Sequence, residues 1–348
     1  MPVNAAALDA GIAEEYFGAF VTAFSRRMIY DSLVTQNQRT PIATWDGRSK
    51  VFTTVIEPTP AGTTATISET GGSVTSATYT PTAVSVTLKE HGDQEWKLTG
   101  KAKLQFFTSA NAKVISFAAK CAADTIDQLA AEKALAKTGT GSVATSTEST
   151  RWEVINPDSS NKPQGGLTSN HIERTVIDLE DRTEPFDDGL FRVVIHNKAS
   201  YSYRREVQAN GLSFEDYSKY RQAGISVPAE YAQRKLGVFA GALHIITSNP
   251  KHVISSGAHG GGDAYKTLVM GKDYLGAAWV PLQHLPWDGE GQRIPLTPFC
   301  ELRISPTQSD SHHRGDTVVY YLVGAYFVID KNRGFYWIHR SDYKRPGT

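Results

Sequence analysis

The stretch from Val51 to Leu88 holds twelve threonines and three prolines, and its only charged residues are Glu57 and Glu69. Threonine and valine favour extended backbone, while Pro58, Pro60, Gly62, Gly71 and Gly72 punctuate it with turns. Phe52 and Tyr79 are its only aromatics, so it reads as strand without the apolar mass for a core of its own. A long two-stranded hairpin alone in water is marginal. Two readings fit: a hairpin held by a neighbouring subunit, or an irregular surface loop. In either case the core must come from the rest of the chain.

That rest is α+β in its order. From Thr108 to Lys137, Val114, Ile115, Phe117, Ala118, Cys121, Ala122, Ile126, Leu129 and Ala130 recur at helical spacing. Lys113, Ser116, Lys120, Asp124 and Asp127 mark the opposite face, Ser109 or Asn111 opens the helix, and Gly139 sits where a stop belongs. About thirty residues at roughly 1.5 Å each give roughly 45 Å, a long helix whose alanines suit close packing. Thr138 to Gly166, rich in Ser, Thr, Gly, Asn and Pro, reads as an exposed excursion. A second helix follows near Thr168 with Ile172, Val176 and Leu179 on one side, then a buried strand, Phe191 to His196, and a polar helix, Lys198 to Gln208. Strands are expected at Val238 to Thr247, Tyr265 to Met270, Val318 to Ile329 and Gly334 to His339, and a short helix with an acidic cap at Asp273 to Trp279. Near the N-terminus, Ala5 to Asn37 places Tyr16, Phe17, Phe20, Phe24 and Ile29 on one helical face. This fits an arm that reaches a partner surface, or a helix packed on its own core.

Composition narrows the classes of function. The 348 residues can bury a sizeable core in two or three subdomains. Lys plus Arg equals Asp plus Glu at 36 each, with no basic run, so any contact with nucleic acid is expected to be weak, local and sequence-blind. Two cysteines, Cys121 and Cys300, make neither a disulfide framework nor a metal site, and Cys121 reads as a buried small hydrophobe. Met1-Pro2-Val3-Asn4 shows no secretory pattern, and Val318 to Ile329 is too short to span a bilayer, so a soluble intracellular protein is expected.

Candidates for chemistry are weak. Gly257 to Asp263 is glycine-rich but lacks a P-loop ending, and a strand is expected after it, where a phosphate cradle needs a helix. His312-His313 has no third ligand at useful spacing, Ser255-Ser256 lacks a nucleophile elbow, and Glu184, Asp187 and Asp188 form an acidic turn expected to face solvent. Trp279, Trp287 and Trp337 read as core or interface anchors. No enzyme, cofactor or metal is expected. A hydrolase built around His259 and Asp263 is the weakest of the readings kept open.

The chain resembles the tailed-bacteriophage major capsid proteins, the Johnson or Hong Kong 97-like fold, and within them the group typified by the phage N-four coat protein. The likeness rests on Ile67-Ser68-Glu69-Thr70-Gly71-Gly72 followed by Tyr79-Thr80-Pro81, on Val84 to Leu104 as a returning strand, and on Phe107 to Leu135 as a spine helix. It rests also on Phe191 to His196, on Tyr265 to Tyr274, and on Val318 to Ile329 as closing strands. Two departures stand out: Glu69-Thr70-Gly71-Gly72 replaces the group's Glu-Gly turn, and Glu301-Leu302-Arg303 replaces its Trp-Lys pair.

The resemblance implies an N-terminal arm over 1–48, an extended loop over 49–104, and the spine helix with a peripheral domain over 105–195. An axial domain with loop excursions follows over 196–310, and C-terminal strands return over 311–348. It implies contacts between copies at Phe20, Phe24, Glu57, Glu69, Thr70, Gly71, Gly72 and Tyr79. Its implied partners are further copies in pentamers and hexamers, a separate scaffolding protein, a portal protein, a decoration protein and packaged double-stranded DNA, with no membrane. The implied location is the virion, assembled in the host bacterial cytoplasm. An encapsulin-type nanocompartment shell, which shares the fold, is the alternative.

Overall fold

The computed structural model describes residues 28–34, 39–41, 51–56, 82–92, 96–98, 108–136, 151–214, 235–254, 264–285, 292–306 and 316–342. The first part of the chain gives α1 (Ile29–Ser32), β1 (Arg39–Pro41), β2 (Val51–Ile56), β3 (Thr82–Thr87), β4 (Lys89–Gly92), β5 (Trp96–Leu98) and α2 (Thr108–Ala134). The middle gives β6 (Arg151–Val154), α3 (Ser169–Glu180), β7 (Phe191–His196), α4 (Asn197–Ala209), β8 (Lys235–Phe239), β9 (Ala242–Thr247) and β10 (Val253–Ile254). The last part gives β11 (Ala264–Met270), β12 (Leu275–Trp279), β13 (Gln292–Thr297), β14 (Cys300–Pro306), β15 (Asp316–Val328) and β16 (Gly334–Arg340).

The 27-residue α2 is about 40 Å long at 1.5 Å per residue. Ala118, Ala119, Ala122, Ala123, Ala130, Ala131 and Ala134 are all buried on it, around Ile126. Small side chains let strands approach the helix backbone closely, which suits a rod with sheets on more than one side. Its last carbonyls are claimed by other elements. Tyr274 Oη donates to Ala134 O at 2.8 Å and Lys266 Nζ to Leu135 O at 2.8 Å, a cation at the negative end of the helix dipole.

Two sheets share one core with this helix. In the first, β1-β12-β15-β14-β13, the 13-residue β15 is the organiser, with β4 and β5 on its free edge. Leu322 faces His91 on one side and Cys300 on the other, while Gly324 faces Lys89 and Trp279. In the second, β6-β16-β11-β7-β9-β8, one face packs on α2 through Trp152, Val194, Leu268 and Tyr336. The other face packs Val193, Ile195, Val269 and Trp337 against Ile172, Val176 and Leu179 of α3 and Ala199, Tyr203 and Val207 of α4. Both faces of β7 are therefore covered, so all six of its residues are buried. The expected α3, α4 and β7 lie within about one residue of their sequence bounds.

The base of the threonine-rich stretch is a two-stranded hairpin that packs on its own chain. β2 and β3 pair from Val51↔Thr87 to Ile56↔Thr82, and Val86 and Leu88 pack with Val280, Val323 and Phe327 on the far side of the first sheet. Residues 57–81 lie outside the described residues.

Three expectations are corrected. Asp273 to Trp279 is not a helix: Asp273 takes φ 59° and Leu275–Trp279 is a wholly buried strand between β15 and β1. Partners on both edges outweigh the capping pattern. Val238 to Thr247 is two strands, broken by Ala240 (φ 49°) and Gly241 (φ 71°) in a two-residue hairpin turn. Thr138 to Gly166 is not all excursion, because Arg151–Val154 forms β6, parallel to β16, with Trp152 buried beneath it.

Gly324 shows how tightly β15 is packed. A Cβ there would run into the Trp279 ring and lie 2.7 Å from the Ala278 carbonyl oxygen, while that ring stacks on Phe299 at 4.5 Å and meets Tyr326 edge-on at 5.0 Å. Gly324→Ala is expected to destabilise the subunit by about 1–3 kcal/mol, read as a lower urea midpoint with unchanged m-value. An unchanged midpoint contradicts this packing.

Candidate assembly site

The eight residues expected to touch neighbouring copies, Phe20, Phe24, Glu57, Glu69, Thr70, Gly71, Gly72 and Tyr79, all fall outside the described part of the chain. What the structure describes is the ground from which both segments spring: the hairpin base above, and the turn over residues 28–34.

That turn is seated deep in the subunit. Ile29, Tyr30 and Leu33 are at most 1% exposed and belong to the same core as α2 and both sheets. Ile29 thus follows the packed-core reading, while Tyr16 and Phe17 lie outside the described residues. The backbone N–H of Tyr30 donates to Asp127 Oδ1 at 2.7 Å, and Asn249 Nδ2 donates to Asp127 Oδ2 at 2.7 Å. Asp127 is therefore not on a solvated face. It falls four residues after Ala123 and three before Ala130, on the buried stripe, and that spacing was the signal available in the sequence.

The Tyr30 side chain continues the network. His252 Nδ1 lies 2.6 Å from the Lys266 carbonyl oxygen, which can only accept, so Nδ1 carries the proton. His252 Nε2 is then an acceptor, and Tyr30 Oη donates to it at 2.6 Å. Burial is the main cause that pushes the Tyr30 phenol well up and the His252 imidazole down to about 3, so both are neutral across the ordinary pH range. On the other side of the turn, Tyr326 Oη of β15 donates to Asp31 Oδ1 at 2.5 Å.

The groups singled out for chemistry are tied up structurally or lie outside the described residues. Asp188, expected to face solvent, has a side chain only 2% exposed and grips Arg192 with contacts of 2.7 and 3.0 Å. Asp187 pairs with Lys272 at 2.7 Å and Glu184 is exposed, so the three acids form no shared-proton pair. The Cys300 thiol is buried, which pushes its pKa up and leaves it inert, and Cys121 is half-buried against the core. Trp279 and Trp337 are core anchors. Trp287, Ser255, Ser256, His259, Asp263, His312 and His313 lie outside the described residues. Glu301, in the departure from the capsid pattern, is buried between Arg293 at 2.6 Å and Arg303 at 2.7 Å.

Among the described residues no group of three or more His, Cys, Asp or Glu could hold a metal, and no helix is long and apolar enough to cross a membrane. One cleft of about 230 Å³ is lined by Arg151, Arg174, Asp178 and Trp337 among others, but Arg151 and Asp178 satisfy each other at 2.7 Å. Another of about 170 Å³ lies over Asp127 and Asn249. Neither pairs a nucleophile with a base.

A long helix between two sheets, with a two-stranded hairpin at one side, is the Hong Kong 97-like fold of tailed-phage capsid subunits. The capsid of Ralstonia phage GP4 superposes with a TM-score of 0.57 over 92% of this chain and 93% of its own, at 11% identity. The capsid of a native GTA particle gives 0.51 over 88% and 90%, at 13% identity. No protein-family model and no curated protein matches the chain.

Three buried histidines make the subunit acid-sensitive. Burial lowers His244 to about 4, His252 to about 3 and His339 to about 4, against an ordinary value near 6.5. His244 is bonded to Tyr203 at 3.2 Å and His339 to Thr267 at 2.8 Å, both inside the sheets. The unfolded chain takes up these protons near pH 6.5 and the folded chain does not, so their stabilisation is complete above that pH. It falls by about 1.4 kcal/mol per pH unit per histidine as pH drops toward about 4. Urea midpoints measured from pH 7.5 to 4.5 are expected to fall steeply, and less steeply in His339→Gln. A flat profile contradicts buried neutral histidines.

Proposed function

We propose that this chain is the major capsid protein of a tailed bacteriophage, self-assembling into the icosahedral head shell that encloses a double-stranded DNA genome. The observation that carries this reading is a shared fold spanning nine-tenths of both chains, where the compared chain is itself a capsid subunit. The proposed role is structural and not catalytic.

The physics of assembly follows from the threonine-rich stretch. Its base packs on the first sheet, while residues 57–81 carry two charges and one large aromatic, Tyr79. Lying across an adjacent copy, such a segment gains strand hydrogen bonds and buried area that it lacks alone. Glu57, Glu69, Thr70, Gly71, Gly72 and Tyr79 are the proposed contacts there, and Phe20 and Phe24 on the arm reach a further copy. Heterologous contacts that close generate pentamers and hexamers, and many modest contacts together give a stable shell.

Equal numbers of acidic and basic residues suit a wall that confines DNA without gripping it. A separate scaffolding protein, a portal and a decoration protein are the proposed partners, and the phage N-four coat protein group is the proposed subgroup. The proposed location is the virion, with assembly in the host bacterial cytoplasm.

Deleting Gly62 to Tyr79 and closing the gap with a short glycine linker is expected to leave a subunit that melts as the wild type does but forms no particles. Negative-stain microscopy and light scattering read the outcome. Intact particles of normal size from the shortened chain overturn the proposed mechanism.

A further inference from the structure

The turn over residues 28–34 touches the long helix and both sheets. Tyr30 N–H binds Asp127 of α2, Tyr30 Oη binds His252 beside β10 of the second sheet, and Asp31 accepts from Tyr326 of β15 in the first sheet. Asn249, which follows β9, grips the second oxygen of the same Asp127 carboxylate. These partners lie 97, 222 and 295 residues away in sequence, so the turn ties together parts of the chain that no local pattern joins. The turn is also short. Its helix is four residues, too few to hold its shape unaided, and the Met28 cap makes no side-chain hydrogen bond. Its conformation is therefore set by the slot it enters.

The slot is polar where the turn meets it and apolar around it. Asp127, His252 and Asn249 are each at most 6% exposed, and Ile29 and Leu33 are buried in the core shared by the helix and both sheets. A wedge held by directional bonds on opposite sides fixes how its two flanks sit relative to each other. Without it, a buried carboxylate and a buried imidazole each lose a partner, and the flanks gain freedom to shift. Residues 1–27, which precede this wedge in sequence, belong to the proposed N-terminal arm over 1–48.

We propose that residues 28–34 are a separable latch, a one-turn wedge whose seating between the two sheets couples the N-terminal arm to the shape of the subunit. A load on the arm, such as docking on another copy, acts on the latch, and the latch acts on the angle between the sheets. By reciprocity, any state of the subunit that changes that angle changes how firmly the arm is held. The coupling to shell geometry rests on the shell-forming function proposed above, whereas the separability of the latch does not.

Two conservative variants of the full chain test it. Tyr30→Phe removes only the hydroxyl on the His252 side, and Tyr326→Phe removes only the donor to Asp31. Hydrogen exchange followed by mass spectrometry on unassembled protein is expected to show protection of 28–34 falling at least tenfold in either variant. Peptides from α2, β7 and β11 are expected to keep wild-type protection. Equal loss across all these peptides overturns the latch, because the turn is then an ordinary part of one cooperative core. Unchanged protection of 28–34 overturns it as well.

For the coupling, particles formed by each variant are expected to spread over a wider range of diameters than the wild type. Particles of wild-type diameter from a variant whose latch exchanges fast overturn the coupling while leaving the shell function intact. Wild-type protein that forms no particles at all overturns the shell function and the coupling, and the exchange result still decides the latch.

Discussion

Close contact between an alanine-faced helix and two sheets is the constraint on which the rest of this subunit depends. Seven buried alanines on α2 leave little side-chain bulk between the helix and its neighbours, so strands can pack on it from both sides. A leucine at any of these positions would need space that a core at near-crystalline density does not contain. The same demand recurs across the helix, where Gly324 admits the Trp279 ring and Gly276 lies against Phe327 and Ile329. Helix, first sheet and second sheet thus form one continuous core, and α3 and α4 close its outer face.

Several buried polar groups are paired across these layers. Asp127 joins the turn over residues 28–34 to the loop after β9, Thr125 meets Tyr320 at 2.9 Å, and Lys266 closes the end of α2. Each bond adds about 1 kcal/mol net when made and costs more than that when one partner is removed. Their value lies in fixing one arrangement of the layers. The His252 imidazole is held neutral by burial, Asn249 and the Tyr30 N–H occupy the Asp127 carboxylate, and Cys300 is buried.

Much of the fold was legible in the sequence because its periodicities are strong. Ile172, Val176 and Leu179 mark α3, and the apolar run Phe191 to His196 marks a strand covered on both faces. Leu275 to Trp279 was not legible, because a short run of small apolar residues after Asp273 fits a helix or a strand until its partners β1 and β15 are known. Ala240-Gly241 was missed because alanine is a rare choice for a position with positive φ. Trp152 was hidden in a polar stretch of which it is the only aromatic residue. The hub at Asp127 joins residues about a hundred or more positions apart, which no local pattern encodes. The eight residues expected at contacts between copies were chosen by resemblance, and they lie outside the described residues.

The proposed function places the threonine-rich stretch on the surface of a neighbouring copy. The most direct measurement is negative-stain electron microscopy of the purified wild-type protein, across concentrations and with sedimentation of the same samples. The account predicts closed, hollow particles of many copies. A single species with the mass of one chain at every concentration would contradict it.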